Sequence, residues 1–179
     1  MARVFLDVYK RQRLDLSQAK HLKSIGAQAF YAYGSLYSEM EACTLTFPNG
    51  LESVGETAFT FQSALTGSLT FPDSVGTIGD NSFRGCGFNG ALKLPENSSF
   101  QKLGSQVFME CHFTGTLRIP ESVTEIADFH AFEGNQFSEV IPVSYTHLDV
   151  YKRQDFPGPR KTSIHPHPTL LPPGNGSPV

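Results

Sequence analysis

The stretch LTFPDSVGTIGDNSF, residues 69–83, reads as a chain that turns corners around an apolar centre. Leu69 and Phe71 alternate with Thr70, the pattern of a short strand that points two side chains inward. Pro72 ends the strand, because proline has no N–H to give to a ladder. Val75 and Ile78 face the centre again on the next side of the coil. Gly79 is expected to permit a sharp bend. Ser82-Phe83 is expected to open a helical turn that drives an aromatic ring inward. Phe88-Asn89-Gly90 then turns the chain back toward another strand.

The same stretch recurs on both sides. LTFPNGLESVGETAF begins at Leu45, LKLPENSSFQKLGSQVF at Leu92 and LRIPESVTEIADFHAF at Leu117, so the starts lie 24, 23 and 25 residues apart. An earlier unit, LDLSQAKHLKSIGAQAF, begins at Leu14 with Ser17 in place of the proline, and a last unit opens at Ile141-Pro142. One unit cannot bury its own apolar face, but a stack of units can. Stacking aligns like with like. Phe59, Phe83, Phe108 and Phe132 form one expected column; Phe47, Phe71, Leu94 and Ile119 a second; Leu65, Phe88, Phe113 and Phe137 a third. These columns account for most of the fifteen phenylalanines in a chain that has no tryptophan.

The shared pattern, L-x-I-P-x-x-V-x-x-I-G-x-x-A-F-x-x-C, resembles the BspA-type (Treponema-type) leucine-rich repeat over residues 13–142. The resemblance implies an α/β solenoid of about five coils. Short parallel strands would lie on one face, and short helical turns or irregular segments on the other. It also implies a protein-binding habit, an extracellular or cell-surface location and no chemistry of its own.

A second kind of repetition does not fit this period. LDVYKRQ stands at residues 6–12 and again at 148–154, where VSYTHL precedes it. DVYKRQ back-translates to GAT GTG TAT AAG AGA CAG, and VSYTHL to its reverse complement in a shifted frame. Residues 1–12 and 143–154 are therefore read as translated sequencing adapter, of the kind met in assembled metagenomic reads, and excluded from the fold. Residues 155–179 carry seven prolines and no periodicity, so a disordered tail is expected there. The native protein is expected to extend further at both ends.

Composition narrows the function. Residues 13–142 hold seven Lys and Arg against fourteen Asp and Glu, a net charge of −7, which disfavours binding to nucleic-acid phosphates. No apolar run has the length of a membrane span, so no membrane insertion is expected. Cys86 and Cys111 occupy equivalent places, three residues after a column phenylalanine, and are read as buried free thiols; neighbouring coils are close enough that a disulfide is not excluded by distance. His112 and His130 lack nearby partners for a metal site. No G-x-S-x-G elbow, P-loop or dinucleotide glycine motif occurs. Neither a catalytic group nor a cofactor is expected. Asn97-Ser98-Ser99 matches a glycosylation sequon.

Two candidate partner-binding regions remain. The outward strand positions, Asp15, Thr46, Thr70, Lys93 and Arg118, should align as a stripe on the sheet face, where repeat proteins bind extended protein or glycan partners. The segment between the first two units is longer than its counterparts and carries Tyr31, Tyr33 and Tyr37, residues suited to interfaces. The expected function is a non-catalytic interaction module from a bacterial surface or secreted adhesin-like protein. The alternatives are a structural spacer, the targeting module of a larger secreted enzyme, and an intracellular recognition protein.

Overall fold

The computed structural model describes residues 13–32, 42–127 and 130–142. The chain winds as a parallel β-solenoid of about four turns. The two adapter-like segments and the proline-rich tail lie outside the described residues.

The first strand of each unit builds one wall. In chain order these strands are β1 (Arg13–Asp15), β3 (Thr44–Thr46), β5 (Leu69–Thr70), β7 (Leu92–Lys93), β9 (Thr114–Ile119) and β11 (Gln136–Pro142). β1 pairs with β3, β5 with β7, and β9 with β11, all parallel. The register sets leucine against leucine, Leu14 on Leu45 and Leu69 on Leu92. Burial alternates as the period-two pattern requires: in β3, Leu45 is buried between exposed Thr44 and Thr46.

A second wall, not anticipated as strand, follows each corner. It comprises β2 (Ser24–Ile25), β4 (Ser53–Val54), β6 (Thr77–Ile78), β8 (Lys102–Leu103) and β10 (Glu125–Ile126). β2, β4 and β6 form one parallel sheet, and β8 pairs with β10. Each strand has two residues, too short for alternation to declare itself in the sequence.

The glycine that recurs after this strand serves packing more than bending. A Cβ on Gly79 would lie 2.6 Å from the Glu56 backbone nitrogen, and one on Gly55 would lie 2.5 Å from that of Ala27. These glycines let consecutive coils approach backbone to backbone.

The third wall carries the expected helical turn in a different form. Among the described residues no helix forms, so the helical contribution to the α/β class is replaced by irregular turns. Arg84 N–H donates to the Asn81 carbonyl at 3.1 Å, closing a single turn. Left-handed residues bound it on each side, Asn81 at φ 56° and Gly85 at φ 66°, and a right-handed helix cannot pass through them. Equivalent left-handed residues occur at Gln28, Thr57 and Gln106 before the turn, and at Phe61, Glu110 and Gly134 after it.

This geometry aims backbone groups along the solenoid axis. The Phe59 N–H donates to Ser82 O at 2.7 Å, Phe83 N–H to Val107 O at 3.0 Å, and Phe108 N–H to Ala131 O at 2.9 Å. Coils are thus hydrogen-bonded on all three walls, two by strands and one by stacked turns.

The interior is filled by the aligned aromatics. Phe30, Phe59, Phe83, Phe108 and Phe132 stack nearly parallel, with centroid steps of 4.8, 5.1, 5.7 and 5.8 Å. Phe88, Phe113 and Phe137 make a second stack, and Phe47 stacks on Phe71 at 5.3 Å. The stacks meet edge to face, as between Phe71 and Phe83 at 5.5 Å and 82°. Both arrangements suit the ring quadrupole, so the core gains aromatic contacts in addition to the area it buries.

Candidate functional site

The first wall places the predicted stripe as the alternation requires. Thr46, Thr70, Lys93 and Arg118 are exposed, and each stands beside buried core residues of its own strand. Asp15 lies across from Thr46, Thr70 from Lys93, and Arg118 from Ile141. The row therefore runs from an acidic start through two threonines to two cations.

Charge pairing separates this wall from its neighbour. On the second wall Lys23 meets Glu52 at 2.8 Å and Lys102 meets Glu125 at 2.7 Å. The hydrogen bond that Lys102 donates to the Glu125 carboxylate holds its ammonium above the usual lysine range. Among the described residues, neither Lys93 nor Arg118 forms an ion pair.

Arg118 also borders an open cleft of about 370 Å³, lined by Glu96, Asn97, Ser98, Pro120, Glu121 and Ser122. The cleft originates in a length difference. Four residues separate Pro95 from Phe100, but two separate Pro72 from Val75 and Pro120 from Val123. The longer corner is held firmly by Asn97. Its Oδ1 accepts the N–H groups of Ser99 at 2.8 Å and Phe100 at 3.1 Å, while its Nδ2 donates to Val75 O at 2.7 Å. The sequon asparagine thus has its amide engaged in the fold. On the far side, the shielded Ser122 hydroxyl has no hydrogen-bond partner among the described residues. Sequence reasoning missed this cleft; the two-residue difference in corner length was its only trace.

The tyrosine candidates divide. Tyr31 is half-buried, with its ring 6.3 Å from that of Phe61. Tyr33 and Tyr37 lie outside the described residues.

The cysteines have a structural task. All three are free and buried. The Cys86 thiol donates to Phe59 O at 3.1 Å, and the Cys111 thiol donates to Phe83 O at 2.8 Å. Gln62 Nε2 donates in the same way to Phe30 O, and Asn135 Nδ2 to Phe108 O at 2.7 Å. This position therefore supplies one donor to the coil before it, whichever residue type stands there. Burial, with the neighbouring Cys111 adding to it, pushes the Cys86 thiol well above its ordinary value, which leaves it unreactive. His130 pairs with Glu133 at 3.7 Å. No group of three metal-ligating side chains occurs among the described residues. No helix among them is long and apolar enough to cross a membrane.

A family model described as the BspA type leucine rich repeat region matches residues 23–151 in six copies. The chain belongs to the BspA-type leucine-rich repeat family. Repeat modules of this kind are generally non-catalytic and often bind proteins. No curated protein and no solved structure matches the chain.

Proposed function

We propose that this BspA-type chain is a non-catalytic interaction module of a bacterial surface or secreted protein with an adhesin-like role. Its partner is an extended protein or glycan ligand that lies on the first wall. The observation that carries this reading is the stripe Thr46, Thr70, Lys93 and Arg118, whose two cations form no ion pair among the described residues while the second wall pairs its own. Cations of this kind, one of them (Arg118) beside a cleft, keep charge available to a partner.

Immobilised extracellular-matrix proteins and a glycan array, probed with the full chain, test this reading. At least one ligand is expected to bind, and to be lost when Lys93 and Arg118 are both changed to Glu. Binding that survives the double reversal would remove the stripe from the account. A surface that binds nothing on either array would favour a spacer that projects another domain. The tyrosines at 31, 33 and 37 form a second proposed contact. We also infer that LDVYKRQ and VSYTHLDVYKRQ are adapter-derived; genomic coding sequence continuous through both copies would refute this.

A further inference from the structure

Phe61 departs from the pattern of its own column. The equivalent residues of later coils are Gly85, Glu110 and Gly134, all of them left-handed. Phe61 adopts φ 62°, where a bulky side chain is strained, and it is still 44 % exposed. The backbone conformation costs stability, and the exposed ring recovers little of that cost through burial. Glycine would avoid that strain.

The surroundings of Phe61 point to a ligand. The Arg84 guanidinium carbon sits 5.9 Å from the Phe61 ring centroid, and the Tyr31 ring lies 6.3 Å away. The Phe61 ring reaches over the next coil, where a Cβ on Gly85 would fall 2.6 Å from its edge. Arg84 forms no ion pair among the described residues. Its Nε is shielded from water and has no hydrogen-bond partner among them. One N–H of the guanidinium has therefore given up hydration with no acceptor in exchange. A carboxylate on its outer nitrogens would offset that loss. Arginine, tyrosine and phenylalanine together are the residue types that carry interface energy or are enriched at interfaces.

We propose that Tyr31, Phe61 and Arg84 form a second docking site, on the third wall and independent of the first-wall stripe. It takes a peptide segment in which a carboxylate stands next to an aromatic or branched apolar side chain. The apolar group packs on Phe61 and Tyr31, and the carboxylate meets Arg84. Glu110 and Glu133, exposed on the following coils, repel a carboxylate placed further along the wall and so fix the direction of the segment.

Titration of the full chain with the blocked tetrapeptide Gly-Asp-Phe-Gly, followed by NMR, tests the site. Blocked Gly-Lys-Phe-Gly serves as the comparison. The aspartate peptide should shift Phe61 and Arg84 resonances saturably and more tightly than the lysine peptide. Arg84→Gln should weaken it at least about fivefold and erase the preference. Phe61→Gly should abolish binding while leaving the thermal midpoint unchanged or higher. No saturable shift, equal binding of both peptides, or a preference that survives Arg84→Gln would overturn the proposal. A lowered midpoint for Phe61→Gly would also overturn it, because the ring would then be a structural cover for Gly85. If Phe61→Gly does not fold, Arg84→Gln still decides through the preference between peptides.

Discussion

Two columns of the solenoid lie three residues apart and obey different rules. One repeats a single residue, Phe30, Phe59, Phe83, Phe108 and Phe132, in a continuous ring stack. The other reads Gln62, Cys86, Cys111 and Asn135, and each of these donates a hydrogen bond to the phenylalanine carbonyl one coil earlier. The first column selects a shape, since only another flat ring of the same size fills the space between two rings. The second selects a function, a short donor that reaches one carbonyl. Amide and thiol both meet that need, so the repetition there is chemical and the letters differ.

The largest loss is expected in the ring column. Phe83→Ala removes a fully buried ring that contacts five others, Phe47, Phe59, Phe71, Phe88 and Phe108. Its expected cost is about 3–5 kcal/mol, read from a urea midpoint. If neighbouring coils relaxed to close the gap, the loss would fall well short of this range.

In the donor column the costliest change should be Asn135→Leu. Asn135 bonds to Phe108 O, to Phe132 O at 2.8 Å and to the Phe113 N–H at 2.9 Å. Leucine would strand these groups in the core, at about 2–3 kcal/mol. A near-neutral Asn135→Leu would show that the column tolerates any residue of similar volume.

The thiols make the same column sensitive to alkali. The Cys86 pKa is raised by burial and by Cys111, so the unfolded chain releases this proton first. Stability is therefore intact below the ordinary thiol value and falls as pH rises above about 8.5, by up to ~1.4 kcal/mol per pH unit. Cys86→Ala should flatten that decline in denaturation midpoints measured between pH 8 and pH 10. An unchanged slope would remove Cys86 as its source.

The smallest effect should be a gain. Ser82 precedes Phe83 in a column that otherwise holds Ala29, Ala58, Val107 and Ala131. It is fully buried, and its hydroxyl has no partner among the described residues. Ser82→Ala should raise stability by about 1 kcal/mol in the same urea assay. A destabilised Ser82→Ala would reveal a partner for that hydroxyl.

The parts of the molecule legible in sequence were those that repeat in kind. The L-x-F strands, the three aromatic columns and the outward stripe at Thr46, Thr70, Lys93 and Arg118 all follow from the period. The two-residue strands of the second wall were not legible as strands, because two residues cannot show alternation. The helical turn expected at Ser82-Phe83 fails for a backbone reason: Asn81 and Gly85 are left-handed, and only glycine advertises that in a sequence. Gln28, Thr57, Phe61 and Glu110 adopt the same conformation without any such signal. Local differences between coils were equally hidden. The cleft beside Arg118 depends on one longer corner, and the Phe61–Arg84 contact depends on which coil lies next to which.

Hydrogen exchange of backbone amides reads out whether all three walls bind coil to coil. The Phe59, Phe83 and Phe108 amides belong to the wall that has no strand, yet each donates to the next coil. They should exchange as slowly as the Leu69 amide, which donates to Ala91 O on the first wall. Fast exchange of those three amides, with Leu69 still protected, would contradict this and reduce the solenoid to two hydrogen-bonded walls joined by solvated turns.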